Sequence, residues 1–278
     1  MTVIDGELLT PATITLERKR ARSAFAVQCR VIGTLILRDF RTRIVGHKFG
    51  FVMAIFEPMA FIFVISVAMS FITKSPRIGD SFILFFATGV IPFSAFRRGS
   101  RAVKQAQKKY KKCLYLPIVQ PIDPLVAVMI VEMLLYMGVY FTFFMGHFIV
   151  FGDGFPHDWG LTFMPIVVNS LLGLAVGLIN AAIGCYFPPW DKFYSILTMP
   201  LMLASGVIHI VDELPTPVTN VLYYNPLAHS IVASRNGFFD TYESSFFDPY
   251  YYIGSTIALL FIGIVAERYA RHRILASI

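Results

Sequence analysis

Six apolar runs, at about residues 51–72, 82–96, 124–150, 161–186, 194–211 and 250–266, alternate with polar stretches along this chain. A helix rises 1.5 Å per residue, so about 20 apolar residues cross the roughly 30 Å hydrocarbon layer of a bilayer. Five runs approach or exceed that length. The second is shorter and is expected to begin near Ser81 and continue past Phe96. The pattern predicts an all-α integral membrane protein with six transmembrane helices.

The polar stretches differ in charge. Alternate ones carry nine, eight, one and three Lys or Arg (residues 1–50, 97–121, 187–193 and from Glu267 on). The stretches between them carry Lys74 and Arg77, then none, then Arg235 alone. Basic residues are enriched in cytoplasmic loops, so both termini are expected in the cytoplasm. With 56% of residues apolar and only 15% charged, the composition does not suit a soluble domain. The net charge of +7 then reads as a topology signal, aided by attraction to anionic lipid headgroups. Nucleic acid is a poor partner, because no soluble domain remains to read a groove. Cys29, Cys113 and Cys185 fall on the cytoplasmic side or within the membrane, and no disulfide framework is expected.

The domain reading is a flexible cytoplasmic amino terminus at 1–24, an amphipathic interface helix at 25–48 and a six-span transmembrane domain at 49–278. In the second segment Ile32, Ile36, Phe40 and Ile44 sweep one face while Arg30, Arg38, Arg41 and Lys48 collect on another. Arg43 falls on the apolar side and would have to snorkel. The segment is either a plain basic anchor or part of a cradle for a cytoplasmic partner. In the second basic cluster, Val103, Ala106, Tyr110 and Leu114 recur every three or four residues among Lys and Arg. Such a stripe suits docking onto another protein's groove, and a solvated positive loop is the alternative.

Residues 214–234 contain no charged side chain when His229 is neutral, yet Pro215, Pro217 and Pro226 interrupt them. A seventh crossing would place Arg268, Arg271 and Arg273 outside, so a re-entrant hairpin between the fifth and sixth spans, at about 212–240, fits better. Broken backbone survives at membrane depth when it is buried in protein or lines a wet cavity, which points to a translocation path. Aromatic residues including Trp159, Tyr223, Tyr224, Phe246, Phe247 and Tyr250 crowd the expected outer interface, as a lipid belt or as surfaces that stack on sugar rings.

Glu57 and Glu132 are the costly residues within spans, and Arg97 and Arg98 are candidate partners for either. Interior ion pairing and a direct role in substrate passage are both open. Gly173, Gly177, Ala181 and Cys185 repeat every four residues in the fourth span, a ridge for close packing within one chain, and Asn169 and Asn180 should bond between helices. No Gly-Lys-Ser or Gly-Lys-Thr phosphate loop and no Gly-x-Ser-x-Gly elbow is present. His209, Asp212 and Glu213 could be drawn as the metal cluster of a membrane enzyme, but the spacing matches no metal motif, and interfacial polar residues explain it as well. A passive scaffold or channel is a third class.

Several motifs together resemble the permease subunits of polysaccharide ABC exporters. Arg38-Asp39-Phe40-Arg41-Thr42-Arg43, Gly50 and Glu57-Pro58 resemble the start of that family's first span, and Thr88-Gly89-Val90-Ile91-Pro92-Phe93 with Phe96-Arg97 its second. Leu116-Pro117-Ile118-Val119-Gln120-Pro121-Ile122-Asp123 and Glu132 are similar to its third span. Leu214-Pro215, Tyr224-Asn225-Pro226-Leu227-Ala228-His229 and Arg235 resemble its re-entrant region. The Pro-Ile-Asp element with the later Glu points to the capsular branch. The family's Trp before Glu-Pro is absent here, where Phe56 precedes Glu57-Pro58.

The resemblance implies a homodimer in the bacterial inner membrane, paired with two separate ATP-binding cassette subunits. These subunits would hold the ATP and Mg, so this chain would bind no cofactor or metal and would not itself be an enzyme. The cargo would be a lipid-linked acidic capsular polysaccharide, passed to periplasmic and outer-membrane export proteins; O-antigen or teichoic acid are alternative cargoes. A coupling element at about 101–118 would include Gln105, Lys108, Lys109, Tyr110, Lys112 and Leu114, framed by Arg38 and Arg41. Arg97, Arg98, Arg101 and Lys104 would meet the acidic headgroup, and Tyr223, Tyr224, Asn225, His229 and Arg235 would lie along the path.

Overall fold

A computed structural model describes residues 3–4, 7–8, 11–45, 48–73, 75–76, 78–110, 118–152 and 154–276, with side chains at 3–4, 7–8, 11–25, 44–45, 48–55, 107–108 and 275–276 outside the description. The described chain is helical apart from a two-residue antiparallel ladder of β1 (Val3–Ile4) and β2 (Glu7–Leu8). The helices are α1 (Pro11–Val45), α2 (Lys48–Ser70), α3 (Phe82–Lys109), α4 (Asp123–Phe151) and α5 (Trp159–Tyr186). They continue with α6 (Trp190–Ala204), α7 (Thr216–Leu222), α8 (Pro226–Phe238) and α9 (Pro249–Ala276). Phe82–Ala106, Asp123–Phe151, Trp159–Tyr186 and Pro249–Ile274 are long and apolar enough to cross a membrane, and Phe56–Ser70 is a shorter apolar helix.

Local chemistry sets several boundaries. Pro124 occupies the first turn of α4, where a missing N–H costs nothing, and Gly152 closes the helix at φ 79°. The Asp158 carboxylate accepts from the Leu161 amide at the start of α5, and the Asn225 side chain accepts from the Leu227 amide at the start of α8. Three elements differ from the sequence reading. The interface helix starts at Pro11 rather than at residue 25, so it includes part of the stretch expected to be flexible. The helix of the second apolar run continues to Lys109, because only Gly99 interrupts the helix formers beyond Phe96. The helix of the fifth apolar run, α6, stops at Ala204, and Gly206 turns the chain at φ 80°. At 15 residues α6 spans only about 22 Å.

Helix α5 is central and touches α3, α4, α6, α8 and α9. Its small residues let backbones approach: a Cβ on Gly177 would lie 2.7 Å from the Val103 Cβ and 2.8 Å from the Ser100 carbonyl oxygen. The small face is therefore a seam within the chain against α3, while Ala181, Ala182 and Cys185 pack on Ala270 and Ile274 of α9. Asn169 of α5 is fully buried and bonds three neighbours. It donates to the Pro92 carbonyl and to Ser230, each at 3.0 Å, and accepts from the Tyr252 hydroxyl at 2.9 Å. The interrupted segment thus enters the core, with Leu227, Ala228, Ile231, Val232 and Ala233 of α8 buried. Outward-facing Ile257, Phe261 and Val265 of α9 and Phe63 and Val64 of α2 form apolar surface on the outside of the bundle.

Candidate functional site

The end of the bundle where α3 finishes and α4 begins carries most of the described cations. Val103, Ala106 and Tyr110 are buried there with Leu35 of α1 and Leu125 and Val128 of α4. The stripe expected to dock on another protein is instead covered by this chain's own α1 and α4. Burial of an apolar stripe needs only a neighbouring apolar face, and α1 supplies it. Lys112 and Leu114 lie outside the described residues, as does the side chain of Lys108.

The buried face of α1 also carries charge. Arg43 does not snorkel as expected: it donates from Nε to Asp39 at 2.9 Å and from Nη2 to Glu132 of α4 at 2.7 Å. Asp39 is fully buried, one turn before Arg43, and also accepts from Lys109 and, at 2.8 Å, from the Tyr110 hydroxyl. Burial pushes the Asp39 carboxyl up, but the Lys109 hydrogen bond, the Arg43 charge and the Tyr110 hydroxyl outweigh it and hold it below the usual carboxylate range. Burial and the Asp39 carboxylate together push the Tyr110 hydroxyl well up, so it stays a donor. Arg38 is exposed and sits 5.7 Å from the Tyr110 ring centre, and Arg41 is exposed. At the first turn of α4, buried Asp123 accepts from Gln28 of α1 and from the Gln120 amide. Six charged or hydroxyl groups, Asp39, Arg43, Lys109, Tyr110, Asp123 and Glu132, thus bind α1 to the end of α3 and to α4.

Glu57 meets Arg97 at 3.1 Å and Arg98 at 3.4 Å, so the two glutamates take different partners. Its side chain is 47% exposed, against 7% for Glu132. A cavity of about 300 Å³ lies between the two pairs, lined by Arg43, Glu57, Arg98, Arg101, Gln105 and Glu132 among others. Beyond Arg101 and Gln105 a second cavity of about 430 Å³ includes Lys104, which pairs with Asp191 of α6, and Ser100, bonded to Tyr194. Arg98, Arg101 and Gln105 line the first cavity and Arg101, Lys104 and Gln105 the second, a basic mouth beside which Arg97 pairs with Glu57.

At the other end, Tyr223, Tyr224 and His229 join Phe246 and Tyr251 in an aromatic cluster. The His229 Nδ1 accepts from the Asp248 amide and its Nε2 lies 2.8 Å from the Tyr223 carbonyl, a pairing that suits a neutral ring with the proton on Nε2. The Tyr223 hydroxyl donates to Asp248, whose carboxyl is held low by the Tyr251 amide and that hydroxyl. Asn225 caps α8 and donates to Ser205. Tyr224 is 75% exposed. Arg235 is not with this group. It is fully buried, donates to the carbonyls of Gly206, Val207 and His209 at 2.9 to 3.0 Å, and stacks 4.1 Å from the Phe85 ring centre. It holds the turn after α6, and a signal for that role was the lone basic residue in an otherwise uncharged segment.

His209, Asp212 and Glu213 do not assemble a metal site: no cluster of three metal-binding side chains occurs among the described residues. Asp212 accepts from Tyr242 and Ser244 instead.

The chain is similar over most of its length to known transport and export proteins. It is 30% identical over 265 residues to the polysialic acid transport protein KpsM of Escherichia coli, covering 92% of this chain and all of the relative. It is 25% identical to the capsule polysaccharide export inner-membrane protein CtrC of Neisseria meningitidis serogroup B, covering 87% and 91% of the two chains. It is 26% identical to the corresponding protein BexB of Haemophilus influenzae, covering 88% and 92%. The family model for ABC-2 type transporters matches residues 30–239, which run from α1 through the buried Arg235 to the end of α8. The chain belongs to the ABC-2 type transporter family.

Proposed function

We propose that this protein is the membrane permease subunit of an ATP-driven exporter that carries a lipid-linked, acidic capsular polysaccharide across the bacterial inner membrane. The observation that carries the reading is likeness over nearly the whole chain to three proteins named for polysialic acid transport or capsule export. The chain crosses six times, through α2, α3, α4, α5, α6 and α9, with both termini and the basic mouth in the cytoplasm. Helices α7 and α8 form the re-entrant pair, entering from the outer side. Two copies pair with each other and with two ATP-binding cassette subunits, which bind ATP and Mg. Periplasmic and outer-membrane export proteins receive the polymer.

In this reading the exposed part of the α3 end, with Gln105 and Lys109, and exposed Arg38 and Arg41 meet the ATPase. Because Asp39 and Glu132 join α1 to α3 and α4, a push on that surface moves all three helices together. Affinity purification of the chain from its host's membranes tests this. The expected result is a co-purifying ATPase whose hydrolysis in lipid rises when the two are together. A chain that purifies intact, alone, and without effect on the host's candidate ATPase overturns the reading.

A further inference from the structure

Helix α6 is attached firmly at its ends and weakly along its length. Its carboxyl-terminal end runs into the turn whose carbonyls Arg235 holds, and Asn225 donates there to Ala204 and Ser205. Its amino-terminal end follows α5 after residues 187–189, two of them proline, and the Trp190 indole donates to the Asn180 side chain at 2.8 Å. Of its 15 residues only Thr198 and Met202 are buried. Pro200, inside the helix, has no N–H for the Ile196 carbonyl, so the helix bends most easily there.

The same helix closes the cavity of about 430 Å³, which Ser100, Lys104 and Gln105 of α3, Asn180 of α5 and Tyr194 and Ser195 of α6 line among others. Tyr194 and Asp191, one turn apart, tie α6 to α3 across it. The Ser100 hydroxyl donates to the Arg97 carbonyl, so the Tyr194 hydroxyl, 2.8 Å away, is the donor to Ser100. Lys104 pairs with Asp191, whose side chain is 67% exposed, and an ion pair so open to water contributes little. The Asn180 Nδ2 is buried without a hydrogen-bond partner, and a buried donor left unpaired costs free energy. The closed arrangement is thus shallow, since it leans on two polar ties and strands a donor that water in an opened cavity would satisfy.

We propose that α6 is a strap, fixed at its two ends, that swings away from α3 about the 187–189 link and the Gly206 turn and opens this cavity during each transport cycle. Ser100 and Lys104 lie within three turns of Lys109 on α3, and Lys109 is bound to Asp39 of α1, so a movement at that end reaches both ties. The place in the cycle rests on the export reading; the strap and its ties do not.

The test uses the permease with its ATPase in lipid bilayers, in a background with Cys29, Cys113 and Cys185 replaced by Ala. Thr198 is buried, so Thr198→Cys reports opening through its rate of reaction with a charged maleimide. That rate is expected to rise about fivefold when ATP is added. Tyr194→Phe with Asp191→Asn, which removes both ties, should raise it about tenfold without nucleotide. In a second protein, Lys104→Cys with Asp191→Cys is treated with a short bis-thiosulfonate that bridges the two thiols. The bridged fraction should be high without nucleotide and fall when ATP is added, a response that misfolding would not produce.

A Thr198→Cys rate that ATP leaves unchanged overturns the proposal. So does a bridged fraction that ATP leaves unaltered, which would place any opening somewhere other than between α3 and α6. A variant without the two ties that reacts no faster than its parent shows that they do not hold the helix, and also overturns it. This last comparison needs neither ATPase nor glycan, so its failure is failure of the strap, whereas a chain on which no ATPase assembles fails the export reading instead.

Discussion

Arg43 donates to Glu132 at 2.7 Å and joins helices whose contacting residues are 89 positions apart in the sequence. The same guanidinium holds Asp39 one turn earlier in α1, so a single cation satisfies a carboxylate from each of two helices. Removing one member of a buried pair leaves the other charged and poorly solvated.

Glu132→Gln is therefore expected to lower stability by about 2 to 3 kcal/mol, somewhat below the usual cost because Arg43 keeps Asp39 and is partly exposed. The double variant Arg43→Met with Glu132→Met should cost less than the sum of the two single changes. Denaturant or thermal unfolding of the purified protein in detergent checks this, and strict additivity would mean that the two side chains do not interact.

Asp39 gives a pH dependence with a defined sign. Its carboxyl lies below the ordinary range, so near pH 4 the unfolded chain binds a proton more readily than the folded one. Its contribution to stability is full above about pH 5 and is lost as pH falls below about 4. Unfolding temperatures measured from pH 6 to pH 3.5 should fall more steeply in the parent protein than in Asp39→Asn. Parallel curves would contradict the assignment.

Packing between α3 and α5 depends on the absence of a side chain at Gly177. Gly177→Ala places a methyl 2.7 Å from Val103 and should cost about 1 to 3 kcal/mol. Gly138 of α4 has nothing within 4 Å of a built Cβ, and Gly138→Ala should be neutral or stabilise by up to about 1 kcal/mol. Comparing the two melting temperatures separates a specific close approach from a general effect of adding a methyl to a helix.

Arg235 makes three bonds to the turn after α6 and is wholly enclosed. Arg235→Lys cannot reproduce a planar fork and is expected to cost about 3 kcal/mol, read as reduced membrane levels and a lower unfolding temperature. A variant that folds as the parent does and loses only export would return Arg235 to the substrate path.

Much of the fold was legible because its signals are local. The runs that became α4 and α5 carry proline or aspartate at their starts, and Gly152 or Phe187-Pro188 at their ends. The extra length of α1 and α3 was less visible, since apolar periodicity fades where a helix becomes basic. Val103, Ala106 and Tyr110 could be recognised as a stripe, but spacing cannot say whether the covering face belongs to this chain or another. Arg43 shows the same limit: its place on the apolar side was readable, its partner in α4 was not. Glu57 beside Arg97 was legible from depth, since all lie near one end of adjacent apolar runs. Arg235 misled because its partners are carbonyls, which every sequence contains.

The most direct measurement of the central claim is the location of acidic polysaccharide in the host after deletion of this chain. Polymer should accumulate inside the cell and vanish from the surface, and the intact gene supplied in trans should restore it. Surface polymer at the level of the parent strain, with none retained inside, would contradict a role in export.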